Sequence, residues 1–333
     1  MIILNDTIIF YEKLIQIFII ILIISWRIYL KLRIKQTNSY TYLFGKVVIV
    51  TGANKGIGYF TALDLAKRGA KVILGCKNEQ GAILAVKKII YKTNNKNVSY
   101  KILNLMSFES IRKFAMEIDR NEEKIDVLIN NAGVAGFGEY LTEDNLQITL
   151  QVNYFGPFLL TRLLMRSLKR SESARIINVA SHMAKFAKIP KFQIDAYPND
   201  LIDNFAKIRL YANSKLCMIY FTSALAKKLK GNNITVNALH PGGVQTDIFK
   251  RLPFQMFIKF ITKTWFMTVE EGCRTSIYLA TSNEVENVSG KMFDNCTEVD
   301  LEKYIKNWEL EDIIWEQSEE LVCLDRMEKN LIN

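Results

Sequence analysis

Two residues with complementary acid–base chemistry lie four positions apart, at Tyr211 and Lys215. Residues at this spacing share one face of a helix. A free tyrosine has a pKa of about 10 and is a poor acid or base near neutral pH, but a nearby lysine cation favours the phenolate and brings the phenol towards the working range. The same spacing recurs at Tyr42 and Lys46, where we expect only an interface tyrosine and a surface lysine. The spacing alone therefore does not identify a site.

A hydroxyl and a pair of amides each follow a predicted strand. Ser181 comes directly after the segment Arg175–Ala180. A serine there either caps a helix or hydrogen-bonds a substrate carbonyl oxygen as negative charge develops on it. The segment Asn130–Gly133 likewise ends a strand, and it is either a plain turn or part of a ligand site. Both interpretations stay open for each feature.

A glycine-rich loop spans Thr51–Gly58, with a predicted strand before it and a predicted helix after it. The three glycines Gly52, Gly56 and Gly58 permit a tight turn and let a pyrophosphate approach backbone N–H groups at the positive end of the helix. Their spacing is GxxxGxG, not the GxGxxG of the general fingerprint, and glycines also serve plain turns. The position between strand and helix favours a dinucleotide site.

The sequence lacks the residue patterns that metal-dependent and serine–histidine–acid catalysis need. The chain has only two histidines, His182 and His240, and five scattered cysteines, with no CxxC or HExxH spacing. A metal site and a disulfide framework are therefore not expected, and the odd cysteine count fits a reducing compartment. A serine–histidine–acid triad is not expected either, because GxSxG is absent and Ser181 and His182 are too close in sequence to face each other.

The elements that must position these residues follow a repeating strand–helix order. Of the 333 residues, 49% are hydrophobic and 23% are charged, as in an ordinary globular chain. Short aliphatic runs, separated by stretches long enough for a helix, predict strands at 47–50, 71–74, 100–103, 125–129, 175–179 and 234–238. This βαβ repetition predicts an α/β fold of the Rossmann type, a doubly wound parallel sheet in a single domain.

Residues 1–35 predict an N-terminal membrane-anchor helix with a basic flank. The run LIQIFIIILIISW at 14–26 is extended by apolar side chains on both sides and is followed by a basic-aromatic stretch. A signal peptide is disfavoured by the lack of a cleavage site, and a buried helix by the lack of a polar face. Five bases and no acid from Arg27 to Lys46 put the catalytic domain on the cytosolic side, at the endoplasmic reticulum or another intracellular membrane.

The formal net charge of +10 is unevenly spread, since residues 300–329 carry ten acids and four bases. Elsewhere the lysines are interleaved with apolar residues, as on solvated helix faces. Nucleic-acid binding is not expected, because the positive charge is not accompanied by any known basic motif that recognises DNA or RNA. Attraction to a membrane better explains the N-terminal bases.

Taken together, the motifs resemble the short-chain dehydrogenase/reductase family. They lie in the family's order and approximate spacing over roughly residues 44–295: TGANKGIG (51–58), NNAG (130–133), Asn153, Ser181, YANSK (211–215) and HPG (240–242). Three stretches are similar to the retinol dehydrogenase branch, VNYFGPFLLT (152–161), IINVAS (176–181) and HPGGVQT (240–246). The anchor and the long segment between Ser181 and Tyr211 also resemble that branch.

The resemblance implies four catalytic residues. Tyr211 would donate a proton to the carbonyl or accept one from the alcohol, and Lys215 would lower its pKa and hold the nicotinamide ribose. Ser181 would polarise the substrate oxygen, and Asn153 would organise a water relay to Lys215. The implied cofactor-binding residues are Gly52, Gly56, Ile57, Gly58, Asn104, Leu105, Asn131, Ala132, Gly133, Tyr211, Lys215, Pro241, Gly242 and Thr246. Asn104 departs from the family's usual aspartate near the adenine, and Ala180 from a frequent serine.

The expected cofactor is NADP(H). An NAD site needs an acid at the end of the second strand to bind the ribose hydroxyls, and here that strand ends LGCK (74–77) without one. Lys77 and Lys55, which lies inside the glycine loop, would instead face a 2′-phosphate. The alternative is that both lysines are simply solvated.

The C-terminal part carries the weakest signals. The segment Leu252–Met267 is rich in aromatic and methionine side chains, and it is either core or the wall of a lipophilic pocket. Because it follows the turn expected to contact nicotinamide, we assign a substrate loop to about 245–267. Residues 296–333 form an acidic helical extension, with a surface helix around Trp308–Leu321.

These expectations describe a membrane-anchored oxidoreductase that transfers a hydride between NADP(H) and a lipophilic alcohol or carbonyl such as a retinoid. Carbonyl reduction is favoured, because cytosolic NADP pools are mostly reduced in this family's setting. A general carbonyl or steroid reductase is the alternative among enzymes. A catalytically silent nucleotide-binding scaffold is the alternative from another class, and the presence of Asn153, Ser181, Tyr211 and Lys215 argues against it. The sequence does not indicate the oligomeric state.

Overall fold

A computed structural model describes residues 2–33, 41–135, 141–189, 204–244 and 266–332. These residues form an eight-stranded sheet in the order β3-β2-β1-β4-β5-β6-β7-β8, in which every neighbouring pair is parallel except β7 and β8. The strands are β1 Val47–Thr51, β2 Lys71–Cys76, β3 Val98–Ile102, β4 Val127–Asn130, β5 Ala174–Val179, β6 Ile234–His240, β7 Met292–Asp294 and β8 Thr297–Val299. The chain order reverses between β1 and β4, as in a doubly wound fold.

The described residues also form twelve helices, some of which pack on the two faces of the sheet. They are α1 Ile2–Arg33, α2 Gly56–Lys67, α3 Glu79–Thr93, α4 Phe108–Asn121, α5 Ile148–Leu150, α6 Gly156–Leu163, α7 Met165–Lys169, α8 Asn204–Lys228, α9 Val269–Gly272, α10 Arg274–Thr281, α11 Leu310–Leu321 and α12 Arg326–Asn330. A π-helical turn, Gln151–Phe155, joins α5 to α6.

Side-chain alternation along the strands builds two separate cores. Ile49 of β1 and Ile73 of β2 point to one face, where they share a buried cluster with residues of α4, α6, α8 and α11. Their neighbours Val48 and Val72 point to the other face and pack with α2, α3 and α10. This period of two is what a strand buried on both faces requires, and it confirms the predicted Rossmann-type fold.

The six predicted strands are all present, with ends that differ by a few residues from the prediction. β7 and β8, which are three residues long each, were not predicted. Runs this short show no measurable period. Because β8 is antiparallel to β7, the sheet is mostly and not wholly parallel.

The predicted surface helix near 308–321 is present as α11, with one side exposed, as at Asp312 and Glu316, and the other side buried. Leu310, Ile314, Trp315 and Ser318 are buried, and the Trp315 ring packs against Phe158 at 5.3 Å. The sequence period indicated a helix, whereas the acidic composition concealed its apolar face. The apolar side of the helix therefore packs against the α6–α8 face of the sheet, and its other side is exposed.

The N-terminal helix α1 carries exposed apolar side chains, among them Ile15, Phe18 and Ile20. In the described part of the chain, no helix has both the length and the apolar character needed to cross a membrane. The membrane anchor stays a prediction.

Candidate active site

The glycine loop connects the end of β1 to the start of α2. Gly52 and Gly56 have φ values of 66° and 64°, a region that glycine adopts without steric cost. A Cβ atom at Gly58 would lie 2.8 Å from the carbonyl oxygen of Gly52 and would also clash with the Asn131 amide. The loop therefore forms a close-packed backbone cradle at the N-terminus of α2, of the shape that a pyrophosphate needs.

The segment after β4 is fastened to this loop by Thr51. The Thr51 hydroxyl accepts hydrogen bonds from the backbone N–H groups of Asn131 and Ala132, both at 3.0 Å. The Asn131 amide in turn donates to the Thr51 carbonyl at 2.8 Å. Asn130 points elsewhere and donates to Asn178 at 2.8 Å inside the sheet. The segment is thus both a structural turn and one wall of a cavity, and the sequence analysis missed the part played by Thr51.

Tyr211 and Lys215 lie on α8, on the face turned towards the end of β5. The Lys215 ammonium donates to the Val179 carbonyl at 2.8 Å and lies 5.8 Å from the centre of the Tyr211 ring. Burial lowers the pKa of Lys215 to about 8. Burial also raises the pKa of Tyr211, while a hydrogen bond with Ser181 lowers it. Desolvation thus outweighs the lowering of the Tyr211 pKa that was expected from Lys215.

Ser181 combines the two roles that the sequence left open. Its hydroxyl accepts a hydrogen bond from the Met183 N–H at 3.2 Å and so caps the 3₁₀ turn His182–Phe186. The same hydroxyl is hydrogen-bonded to Tyr211. The cap thus holds the serine oxygen beside the phenol, where both groups can contact one substrate oxygen.

Asn153 is fully buried in the π-helical turn. Its side chain accepts from the Val134 N–H at 2.8 Å and donates to the Val134 carbonyl at 2.9 Å and to the Ser214 hydroxyl at 3.0 Å. A Cβ atom at Gly133 would lie 3.4 Å from both the Asn153 oxygen and the Lys215 nitrogen. Asn153 therefore fixes the segment after β4 next to Lys215. The sequence analysis did not single out Val134 or Ser214.

These groups surround one cavity of about 1200 Å³ at the carboxyl ends of the parallel strands. The predicted site residues that line it are Gly52, Lys55, Gly56, Ile57, Lys77, Asn104, Leu105, Asn131, Ala132, Gly133, Ser181, Tyr211, Lys215, Pro241 and Gly242. Two further predicted residues lie next to this lining: Gly58 packs against Gly52 and Asn131, and Asn153 lies beside Gly133. Thr246 and residues 245–265 of the predicted substrate loop lie outside the described residues. Where the chain resumes, the Met267 N–H donates to the Gly243 carbonyl at 2.7 Å.

Two predicted cofactor residues have specific surroundings. Lys77 is exposed just beyond the end of β2, and its ammonium lies 3.3 Å from the sulfur of Met106. The Asn104 side chain accepts from the Met106 N–H at 3.2 Å. Its oxygen is therefore engaged in a local turn.

Comparisons with known proteins agree with this geometry. Residues 46–197 and 202–255 match a family model described as short chain dehydrogenase. Retinol dehydrogenase 13 from Mus musculus is 40% identical over 286 residues, which cover 84% of this chain and 84% of that protein. Retinol dehydrogenase 14 from Homo sapiens is 35% identical over 309 residues, which cover 88% and 90%.

Solved structures share the fold. An uncharacterised protein from Mycobacterium paratuberculosis superposes with a TM-score of 0.68 at 24% identity, covering 86% of this chain and 96% of that one. A short chain dehydrogenase from Escherichia coli, complexed with NADPH, has a TM-score of 0.61 at 22% identity, covering 78% and 99%.

The chain belongs to the short-chain dehydrogenase family. Within it, the chain is an oxidoreductase of the retinol dehydrogenase type. The family binds a nicotinamide cofactor, and the backbone cradle at Gly52, Gly56 and Gly58 fits its pyrophosphate.

Proposed function

We propose that this protein transfers a hydride between NADP(H) and a lipophilic alcohol or carbonyl, acting on a retinoid in the direction of retinal reduction. The observation that carries the proposal is the meeting of Ser181, Tyr211 and Lys215 at one end of a cavity whose other end is the glycine cradle. A bound nicotinamide supplies or accepts the hydride. The chain's own residues then have to hold the substrate oxygen and move one proton.

Ser181 and Tyr211 divide the work at the substrate oxygen. The Ser181 hydroxyl donates a hydrogen bond to that oxygen as charge builds up on it, and the Tyr211 hydroxyl delivers the proton. The Lys215 ammonium stabilises the phenolate that remains. Asn153 holds the segment after β4 next to Lys215. A water relay organised by Asn153 would carry a proton from solvent to Lys215.

The preference for NADP(H) rests on charge at the end of β2. The strand ends at Cys76 without an acid, and two exposed lysines, Lys55 and Lys77, line the adjoining wall of the cavity. A carboxylate in this place would repel a 2′-phosphate, whereas ammonium groups form charge-assisted hydrogen bonds with it. Asn104, Leu105 and Asn131–Gly133 would line the adenosine side, and Pro241, Gly242 and Thr246 the nicotinamide half.

A lipophilic substrate is supported by the apolar side chains in the cavity wall. Val134, Val152, Met183 and Phe266 are among the residues that line the cavity, and apolar walls favour apolar ligands with a few polar groups to orient them. The retinol dehydrogenases among the relatives support a retinoid as the specific substrate.

Membrane attachment through residues 1–35 completes the proposal, with the catalytic domain of residues 44–295 in the cytosol and the acidic extension at 296–333. It is supported by the exposed aliphatic side chains of α1 and by the bases that follow residue 26. The attachment would keep the enzyme where a lipophilic substrate is concentrated.

The test follows the loss of NADPH absorbance with purified full-length protein in detergent. Retinal, aliphatic aldehydes and a steroid ketone are supplied in turn, each with NADPH and with NADH. We expect turnover with retinal and NADPH at a higher kcat/KM than with the other pairs. A higher kcat/KM with the steroid would favour the steroid reductase. No turnover with any carbonyl would contradict the enzyme assignment and favour a scaffold.

A further inference from the structure

The only two histidines of the chain meet beside the candidate site. His182 is the first residue after Ser181, and His240 is the last residue of β6. Their rings stack with centroids 3.8 Å apart and an interplanar angle of 21°. Both residues line the cavity. The two are separated by 58 positions, so their contact is a tertiary feature.

Two polar contacts fix His182 to the neighbouring strands. Its backbone N–H donates to Nδ1 of His240 at 3.2 Å. Its ring Nε2 lies 3.2 Å from a carboxylate oxygen of Asp294. Asp294 ends β7 and is the register partner of His240 on β6. The backbone and ring of His182 are thus both attached to the β6–β7 edge of the sheet.

The charges around this cluster favour the observed hydrogen-bond direction. The pKa of His240 is lowered to about 3, mainly by burial, with smaller contributions in the same direction from His182 and Lys185 and an opposing one from Asp294. His240 therefore stays neutral near pH 7, and its Nδ1 can accept from the His182 N–H. Lys185 itself lies 5.1 Å above the ring of Tyr304. The pKa of Tyr304 is raised to about 12 by burial and by Asp294.

The other end of the same turn is attached to the catalytic helix. Asn213 of α8 accepts from the Lys188 N–H and donates to the Lys188 carbonyl, both at 2.8 Å. The turn that begins at Ser181 is therefore held by His182 at one end and by Asn213 at the other. Ser181 directly precedes His182 in the chain. The contacts that hold His182 in place therefore also restrict the position of Ser181.

We propose that His182, paired with Asp294 and stacked on His240, is a positioning residue that sets the Ser181 hydroxyl against the substrate oxygen. The inference rests on the proposed function, since it concerns the alignment of a catalytic group. Displacing a positioned group by about 1 Å costs roughly 100-fold in rate. Without the His182 ring the 3₁₀ turn loses its stack and its carboxylate partner, while the glycine cradle is left intact.

The kinetic test compares His182→Ala, Asp294→Ala and Asp294→Asn in the full-length protein with retinal and NADPH. We expect His182→Ala and Asp294→Ala to lower kcat by about 10- to 100-fold, with the Kd of NADPH unchanged. Asp294→Asn keeps an oxygen that can accept from Nε2 and should retain most of the activity. The matched control is Glu298→Gln, which removes a carboxylate from an exposed ion pair with Lys291 on the same hairpin and should leave kcat unchanged.

A second measurement detects the contact between His182 and Asp294 by NMR and does not depend on turnover. With only two histidines, a histidine-labelled sample gives two sets of ring NMR signals, which His182→Ala assigns at once. The His182 ring signals should shift in Asp294→Asn and stay in place in Glu298→Gln. Unshifted signals would show that the pair does not form and would overturn the proposal.

The kinetic outcomes separate the two proposals. Normal kcat in His182→Ala beside an active wild type would overturn the positioning role and leave the proposed function standing. A wild type without any carbonyl turnover would overturn both. A loss of NADPH affinity equal to the loss in kcat would indicate general damage to the site and would also overturn the positioning role.

Discussion

Lys215 is a buried cation. The hydrogen bond described for its ammonium goes to the Val179 carbonyl and not to a carboxylate. Lys215 is 3% exposed, and its pKa falls from 10.5 to about 8 through burial. The unfolded chain therefore binds a proton more tightly than the folded one between pH 8 and 10.5. Below pH 8 the folded state bears the full cost of burying the charged ammonium. Between pH 8 and 10.5 the free energy of unfolding therefore increases with pH.

The pH dependence can be measured against Lys215→Met, which has no titrating group. In urea unfolding of the ligand-free proteins, the variant should be the more stable by up to about 3 kcal/mol at pH 7. The difference should shrink between pH 8 and 10.5. Because all other groups are common to both proteins, a difference that does not change with pH would contradict the lowered pKa.

Tyr211 should be required for turnover but not for cofactor binding. Tyr211→Phe removes the hydroxyl that transfers the proton and keeps the ring, so kcat should fall at least about 100-fold while the Kd of NADPH stays nearly unchanged. Lys215→Ala should impair both, since the proposed mechanism assigns Lys215 to the ribose and to the phenol. Stopped-flow reduction and a fluorescence titration measure the two quantities. Substantial activity in Tyr211→Phe would mean that another group is the acid.

The two cavity lysines should decide between the cofactors. Replacing Lys55 and Lys77 together with alanine should weaken NADPH by at least about tenfold per lysine and change NADH little. The control is Lys92→Ala, which removes an exposed lysine at the end of α3. Titration of both cofactors into each variant provides the comparison. Equal losses for NADPH and NADH would rule out contact with a 2′-phosphate.

At the scale of elements, α11 of the C-terminal extension packs against the main sheet domain. The ring of Trp315 packs against Phe158 and Phe221, and the Arg162 guanidinium lies 5.1 Å from it. Arg162 is itself buried and pairs with Glu319 of the same helix. The acids of the extension thus include a partner for a buried cation, which explains why an acidic segment can cover an apolar face.

The extension also reaches the turn that carries Asn153. The hydroxyls of Tyr154 and Ser318 lie 2.7 Å apart, and Tyr154 follows Asn153 in the π-helical turn. Burial raises the pKa of Tyr154 well above its usual value, so the phenol stays protonated. Helix α11 therefore contacts the π-helical turn that contains Asn153.

Two tryptophans test the packing of this extension. Trp315 is 6% exposed and Trp308 is 42% exposed, where it stacks with Lys227. Trp315→Ala should lower the free energy of unfolding by about 3–5 kcal/mol, as for other buried aromatics. Trp308→Ala should cost about 1 kcal/mol or less. Urea denaturation measures both, and similar losses would mean that α11 does not pack as described.

At the scale of the whole molecule, glycosylation acceptors report the topology. N-x-[ST] triplets occur at Asn5, Asn97, Asn233, Asn287 and Asn295. Such triplets arise by chance in an asparagine-rich chain, but Asn97, Asn233 and Asn287 are exposed and would be accessible in a luminal domain. With the domain in the cytosol, none of the four acceptors after residue 35 should carry a glycan.

The topology experiment expresses the full chain in cells and combines fractionation with glycosidase treatment. We expect a membrane-bound protein that detergent releases and that high salt or carbonate does not, with no glycosidase-sensitive shift in mass. A glycan at Asn97 or Asn233 would reverse the orientation without affecting the enzyme assignment. Release by carbonate would refute the anchor.

The sequence by itself determined the features that depend on local geometry. Six strands were predicted because short aliphatic runs, separated by stretches long enough for a helix, are typical of strands buried on both faces of a parallel sheet. The glycine loop and the Tyr211–Lys215 spacing were also predictable, since one needs positive φ values at Gly52 and Gly56 and the other a single helix face. β7 and β8 were too short to produce a period.

Only the tertiary structure decided which distant groups meet. Asn153 contacts Val134 and Ser214 across 19 and 61 positions, and His182 meets Asp294. No local pattern encodes such contacts, because they depend on how strands and helices pack. Burial acts in the same way: the pKa of Lys215 and the buried face of α11 both follow from the neighbours that exclude water, and those neighbours are brought together only by the fold.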